Sequence, residues 1–173
     1  MKLRNLVALT AICSASIASA GGRAWVSFKS GHGTYTVQFP VKPHVVKSKV
    51  KAPDGGDVPL EMAMVESKSK AFLTCSVDAS DYPSLQGRED DFLNMGMQKI
   101  RGKRGFQVEK ESDFAVSGGK GRHILLTKPG AEMQVYAVVR GNKAVLAAFA
   151  GVSGTSSHQD TTKFIRSFKL ASN

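Results

Sequence analysis

The chain of 173 residues carries a net charge of +10, and 42% of its residues are hydrophobic. This length fits one domain that is large enough to bury a hydrophobic core. Beyond residue 20, no apolar stretch is long enough to cross a bilayer, which excludes an integral helical membrane protein.

The first twenty residues have the pattern of a signal peptide. Two basic residues precede an apolar stretch, residues 6–17, that is too short to span a membrane. The small residues at 18–20 predict cleavage between Ala20 and Gly21. Cys13 offers a lipoprotein signal as an alternative, although bulky Ile12 stands where such signals usually carry a small residue.

After cleavage, we expect an exported, periplasmic or extracellular protein consisting of one domain, residues 21–173. Its net charge would be +8, because the leader contains two basic residues and no acidic ones. Cys75 would then be the one remaining cysteine, so no internal disulfide is expected and packing must hold the fold together.

Alternating apolar residues predict three strands early in the chain. Residues 24–29 form the first, and residues 34–39 form the second, in which Tyr35, Val37 and Phe39 share one face. The third, residues 45–51, places three lysines on one face, which is typical of a solvated sheet edge.

A hairpin is predicted next, from strands at residues 60–66 and 71–78. Alternation in the second strand places Cys75 on the same face as Leu73 and Val77. This position favours a buried, unreactive thiol.

A helix is predicted over residues 85–103, because acidic residues lie early and basic residues lie late, as the helix dipole favours. Four strands should follow as an antiparallel meander, at residues 106–116, 122–128, 132–140 and 143–150. The last of these is apolar on both faces and therefore has to be covered on both sides.

The sequence TTKFIRSFKL, residues 161–170, can provide one cover. With Ser157 as the expected N-cap, residues 158–168 form an amphipathic helix that places Phe164 and Phe168 on one face. Two helices would then enclose one antiparallel sheet. The predicted fold class is therefore α+β, an α/β/α sandwich.

The order of these elements, with the motifs YTVQFP (35–40), GGKGRHILL (118–126) and KFIRSFKL (163–170), resembles the PsbP-like family. That family includes the photosystem II extrinsic subunit and many exported bacterial proteins. The resemblance implies an α/β/α sandwich with a docking or assembly role. The photosystem subunit helps to retain inorganic cofactors in its complex, and a fold relative binds a small nuclear GTPase. None of their functional residues matches a position in this chain.

Motifs for catalysis or metal binding are missing from the sequence. The four histidines lack metal-ligand spacing, and Ser153 fails the G-x-S-x-G pattern because Thr155 replaces the last glycine. Two groups of acidic residues, at 89–91 and 109–113, fit a helix start and an exposed strand face. We therefore expect no catalytic residue, no cofactor and no metal.

Positive charge is the remaining functional signal. The densest cluster, at the end of the long predicted helix, contains Lys99, Arg101, Lys103 and Arg104. Such a cluster either stabilises the helix end or binds a negatively charged partner.

The sequence predicts a non-catalytic binding or assembly module, with an envelope protein or an anionic polymer as its partner. The alternatives are a peripheral binder of anionic envelope polymer or lipid, and an enzyme of unrecognised type. Nucleic acid is a poor candidate, because the protein is expected to be exported and lacks interleaved aromatic and basic residues.

Overall fold

The computed structural model describes residues 24–51, 55–80, 88, 90–91, 93–94, 105–116, 119–155 and 158–171. The predicted cleavage site lies outside these residues, as does most of the predicted helix 85–103. Of that helix, five residues are described: Asp90, Asp91, Leu93 and Asn94 are helical, whereas Arg88 is not. No helix among the described residues has the length and apolar character needed to cross a membrane.

The larger of two antiparallel sheets has seven strands. They are β3 (His44–Lys51), β4 (Asp57–Glu66), β5 (Lys70–Asp78), β6 (Gln107–Val116), β7 (Gly119–Lys128), β8 (Ala131–Arg140) and β9 (Lys143–Gly151). Their order across the sheet is β3-β4-β5-β9-β8-β7-β6. The predicted hairpin and the predicted four-strand meander are both confirmed by this order.

The smaller sheet contains three short strands, in the order β1-β2-β10. They are β1 (Val26–Lys29), β2 (Tyr35–Phe39) and β10 (Lys169–Leu170). Between β9 and β10 lies the helix α1 (Gln159–Ser167). This sheet therefore joins an early hairpin to a segment that follows α1.

Both faces of β9 are buried in hydrophobic clusters, as its sequence predicted. Val145, Ala147 and Phe149 pack with residues of β2 and with Phe164 of α1. On the opposite face, Ala148 packs with strands β7 and β8 and with Leu93. The seven-stranded sheet is thus covered on both sides at its centre.

The helix α1 starts at Gln159, one residue later than predicted. Its N-cap is His158, whose Nδ1 accepts a hydrogen bond from the backbone N–H of Asp160 at 3.3 Å. Phe164 is fully buried, and its ring lies 5.2 Å from that of Phe72. The helix ends at Ser167, and Phe168 stacks on Tyr35 at 5.4 Å. The predicted covering role of the two phenylalanines is confirmed.

The predicted α/β/α sandwich is wrong. The described residues are mostly strand, in two antiparallel sheets, and the one helix whose full length is described, α1, is short. The first two strands do not join the main sheet. Instead, Tyr35, Val37 and Phe39 of β2 bury their apolar face against it, so a second sheet occupies most of the place that a helix was expected to fill.

We predict that Phe164→Ala lowers the free energy of unfolding by about 3–5 kcal/mol, because it leaves a cavity between the two sheets. Adding Phe168→Ala should lower it further. Urea denaturation of the two variants measures these losses, and Arg166→Ala on the exposed side of α1 is the matched control. A double variant as stable as the wild type would contradict the role of α1 as a cover.

Candidate binding surface

Strand β3 forms one edge of the seven-stranded sheet. Among the described strands it pairs with β4 alone, so the backbone groups along its other side have no strand partner. Lys47, Lys49 and Lys51 alternate along it, and all three are exposed. The predicted lysine-rich, solvated edge is confirmed.

Asp57 partly balances this charge. Its carboxylate lies 2.6 Å from the Nζ of Lys51 and 4.0 Å from the Nζ of Lys49. The hydrogen bond from Lys51 lowers the pKa of Asp57, so the carboxylate is charged at neutral pH. These ion pairs link the end of β3 to the start of β4, while the lysine face keeps an excess of positive charge.

A buried carboxylate lies on β4, the strand next to this edge. Glu61 is directly opposite Lys47 in the sheet register, and its residue is only 2% exposed. Its Oε1 accepts a hydrogen bond from the backbone N–H of Gly31 at 2.7 Å. A side chain at Gly31 would overlap the Oε2 of Glu61, so glycine allows the β1–β2 turn to approach this closely.

Further polar groups align the two sheets beside Glu61. The hydroxyl of Tyr35 donates to the Oγ1 of Thr74 at 2.7 Å, and both residues are fully buried. Burial raises the pKa of Tyr35 above its usual range. Ser76 is also fully buried, and its hydroxyl has no partner among the described residues. Because these groups are sealed between the sheets, they position the small sheet rather than face a ligand.

The opposite edge of the sheet is acidic. Strand β6 exposes Glu109, Glu111 and Asp113, as predicted, although a register shift between Val108 and Lys110 interrupts the alternation at Glu109. The Nε of Arg122, on β7, lies 2.7 Å from the Oδ1 of Asp113 and 3.6 Å from the Oε1 of Glu111. The two edges of one sheet therefore carry charges of opposite sign.

Cys75 lies on the face that alternation predicted. The residue is half-buried, and burial raises the pKa of its thiol to about 12. The thiol is therefore protonated at neutral pH, which agrees with the predicted unreactive cysteine.

His123 stacks on Tyr136, with ring centroids 4.2 Å apart and ring planes 16° apart. Burial, and then the positive charge of Lys110, lower the pKa of His123, whereas a hydrogen bond with Gln134 acts in the opposite direction. The Nε2 of His123 is buried without a partner among the described residues. The folded protein therefore favours the neutral imidazole.

Three further features considered in the sequence analysis are the basic cluster, Ser153 and His158. The basic cluster Lys99, Arg101, Lys103 and Arg104 lies outside the described residues and stays a prediction. Ser153 is exposed in the loop after β9, where its backbone N–H bonds to the carbonyl of Gly130 at 3.4 Å. His158 caps α1, and its Nδ1 lies 3.1 Å from the Nζ of Lys70.

No family model and no curated protein matches the chain. Among solved structures, it is similar to the solution structure of cyanobacterial PsbP (CyanoP) from Synechocystis, with 13% sequence identity and a TM-score of 0.55. That similarity covers 90% of this chain and 98% of that chain. The chain therefore has a PsbP-like fold, and the resemblance in sequence is confirmed at the level of the fold.

A second similar structure is a protein of unknown function from Pseudomonas aeruginosa. Its sequence identity is 10% and its TM-score is 0.42, over 80% of this chain and 90% of that chain.

We predict that His123 makes stability depend on pH. Because the folded state lowers its pKa, the neutral ring contributes stability that is present above pH ~6.5, the unfolded value. That contribution is lost as the pH falls from there through the lower folded pKa. His123→Phe keeps an aromatic ring on Tyr136 but cannot be protonated.

Urea denaturation between pH 5 and pH 8 (about one and a half units on either side of 6.5) measures this effect. The wild type should lose more stability than His123→Phe over the acidic half of that range. His158→Asn, which replaces an exposed capping histidine with another good cap, should keep the wild-type slope. Equal slopes for the wild type and His123→Phe would show that His123 does not contribute.

Proposed function

We propose that this protein is an exported, non-catalytic binding or assembly module, and that it binds an acidic, extended segment of a partner along β3. The leader-like pattern of residues 1–20 supports export. The PsbP-like fold is compatible with a docking role. The exposed lysine-rich edge of β3 is the observation that carries the proposal.

An edge strand presents unpaired backbone N–H and C=O groups, to which an extended peptide can add as a further strand. Strand β3 is eight residues long, which is enough for such a ladder. The bond from Gly31 to Glu61 ties the covering turn to β4, the strand that supports β3. The edge is therefore held in an extended shape before a partner arrives, which reduces the entropy lost on binding.

The positive charge of the β3 edge favours an acidic partner. Lys47, Lys49 and Lys51 project from one face of the edge at a spacing of two residues, which is also the side-chain spacing of a bound strand. A segment with carboxylates at every second position would place one opposite each lysine. A basic or uncharged strand would gain no such pairing, so the edge favours acidic partners.

The proposal can be tested with a labelled peptide that has eight residues, like β3, and glutamate at alternate positions with valine between them. We expect the full chain to bind it in fluorescence anisotropy at low salt. Replacing Lys47, Lys49 and Lys51 by glutamine should weaken binding roughly 3- to 150-fold, since each exposed ion pair contributes ~0.2–1 kcal/mol.

Two comparisons distinguish the addition of a strand to β3 from electrostatic attraction alone. The same peptide with N-methylated backbone amides keeps its carboxylates but cannot form the strand ladder, so its binding should be much weaker. Glutamine at Lys68, Arg166 and Lys169, which are exposed elsewhere, removes the same charge and should leave binding unchanged.

Other outcomes would overturn the proposal. Equal binding of the methylated peptide would indicate a general binder of anionic polymer or lipid. Loss of binding only when Arg101, Lys103 and Arg104 are replaced by glutamine would place the site at the basic cluster instead of β3.

A further inference from the structure

The two edges of the seven-stranded sheet match one another in charge and spacing. Among the described strands, β6 pairs with β7 alone, as β3 pairs with β4 alone, so each edge presents a row of backbone groups without a strand partner. Lys47 and Lys49 alternate along β3, and Glu111 and Asp113 alternate along β6. The sheet therefore carries, on its own second edge, an acidic strand of the kind proposed to bind β3.

The sheet register shows which face each set of charges occupies, because directly opposed residues lie on the same face. Lys47 is opposite Glu61, which bonds to the β1–β2 turn, so the lysines lie on the face that carries the small sheet. Glu111 is opposite Ile124, which packs with Leu93 on the other side of the sheet. Within one chain, the lysines and the acids are thus on opposite faces.

Strand direction then determines how two copies can join. Six antiparallel pairings lead from β3 to β6, so these two strands run in the same direction within one chain. Turning a second copy by half a turn about the axis across its strands reverses the strands and exchanges the faces. Its β6 then runs antiparallel to β3 of the first copy, and its acids lie on the side of the lysines. Without this rotation the pairing would be parallel, and Lys110 would lie on that side instead.

One register of the antiparallel contact pairs the charges of both strands. When Lys47 is placed opposite Asp113, alternation places Lys49 opposite Glu111. Arg122 contacts both carboxylates, yet the side chain of Asp113 remains 71% exposed. The side chain of Lys49 is 68% exposed. These charges can therefore reach a neighbouring chain.

The other positions of this register are compatible with it. On the opposite face, Val46 meets Phe114, and both side chains are half-buried in the single chain. Lys51 comes closest to Glu109, where the register shift interrupts the alternation, and it already has an ion pair with Asp57. The contact therefore combines a backbone ladder, two ion pairs and an apolar pair.

We infer that the chain associates head to tail, with β6 of one copy added antiparallel to β3 of the next. The inference rests on the proposed function, because it takes β3 as an edge that accepts an acidic strand, and it names a second copy of this chain as the source of that strand. Antiparallel contact between two β3 edges would oppose lysines to lysines, which disfavours a symmetric dimer. Each added copy presents a new edge, so the contact can repeat beyond two copies.

The test is analytical ultracentrifugation of residues 21–173, the predicted mature chain, which contains every described residue. At low salt, we expect the average mass to rise with protein concentration and to exceed that of two copies. Raising the salt concentration to ~1 M should reverse the association, because the Debye length falls to ~3 Å. The alternating glutamate–valine peptide, without its label, should also reverse it by competing for β3.

Charge reversal at either edge should break the contact. The variant Lys47→Glu, Lys49→Glu has two acidic edges, and the variant Glu111→Lys, Asp113→Lys has two basic edges. Each alone should associate roughly 4- to 900-fold more weakly, because two attractions between exposed charges become two repulsions of similar size. An equal mixture of the two variants should associate again, because every acidic edge then finds a basic edge on the other variant.

The matched control is Lys68→Glu, Lys169→Glu, which reverses two exposed lysines away from both edges and should associate as the wild type does. Urea denaturation checks that every variant is folded. If the β6 reversal unfolds the chain, Asp113→Asn replaces it, because the amide oxygen can still accept a hydrogen bond from Arg122. That variant should associate roughly 1.4- to 5-fold more weakly.

Three results would overturn the inference. A mass that stays at one copy while the labelled peptide still binds β3 would do so and would leave the proposed function intact. Wild-type association of the folded β6 variant would show that the contact does not involve β6. A chain that neither associates nor binds the peptide would overturn the inference and the proposed function together.

Discussion

The two apolar faces of β9 set the arrangement of the rest of the chain. The strand lies in the middle of the seven-stranded sheet, so neither face can be left in contact with water. One face is covered by β2 and Phe164, and the other by side chains around Leu93. The small sheet and α1 are therefore both required by β9, which is distant in sequence from β1 and β2 but is soon followed by α1.

Much of the fold could be predicted because the strands are long and their alternation is clear. The meander β6–β9 and the role of Phe164 follow from side-chain patterns within single segments. Such patterns do not show which sheet a strand joins. The pattern of Tyr35, Val37 and Phe39 shows that one face is buried, but a main sheet and a second layer would require the same pattern. The α/β/α prediction failed at this point, and β10 has only two residues, too few to show a period.

The candidate surface could likewise be predicted only in part. Alternating lysines identify β3 as an edge before any pairing is known. Glu61 gave no comparable signal, because a carboxylate in an alternating strand is ordinarily exposed. Its burial depends on Gly31, thirty residues away in sequence, which donates the hydrogen bond.

The pairing of β2 with β10 has a consequence for how the molecule folds. The backbone N–H of Gln38 bonds to the hydroxyl of Ser167, which is 129 residues away in sequence. Contacts of such long range form late, because a large loop must close before they bring any stabilisation. During folding, the apolar face of β9 that these segments cover therefore stays open until segments far apart in the sequence meet. In that interval the protein is most exposed to aggregation and to proteases.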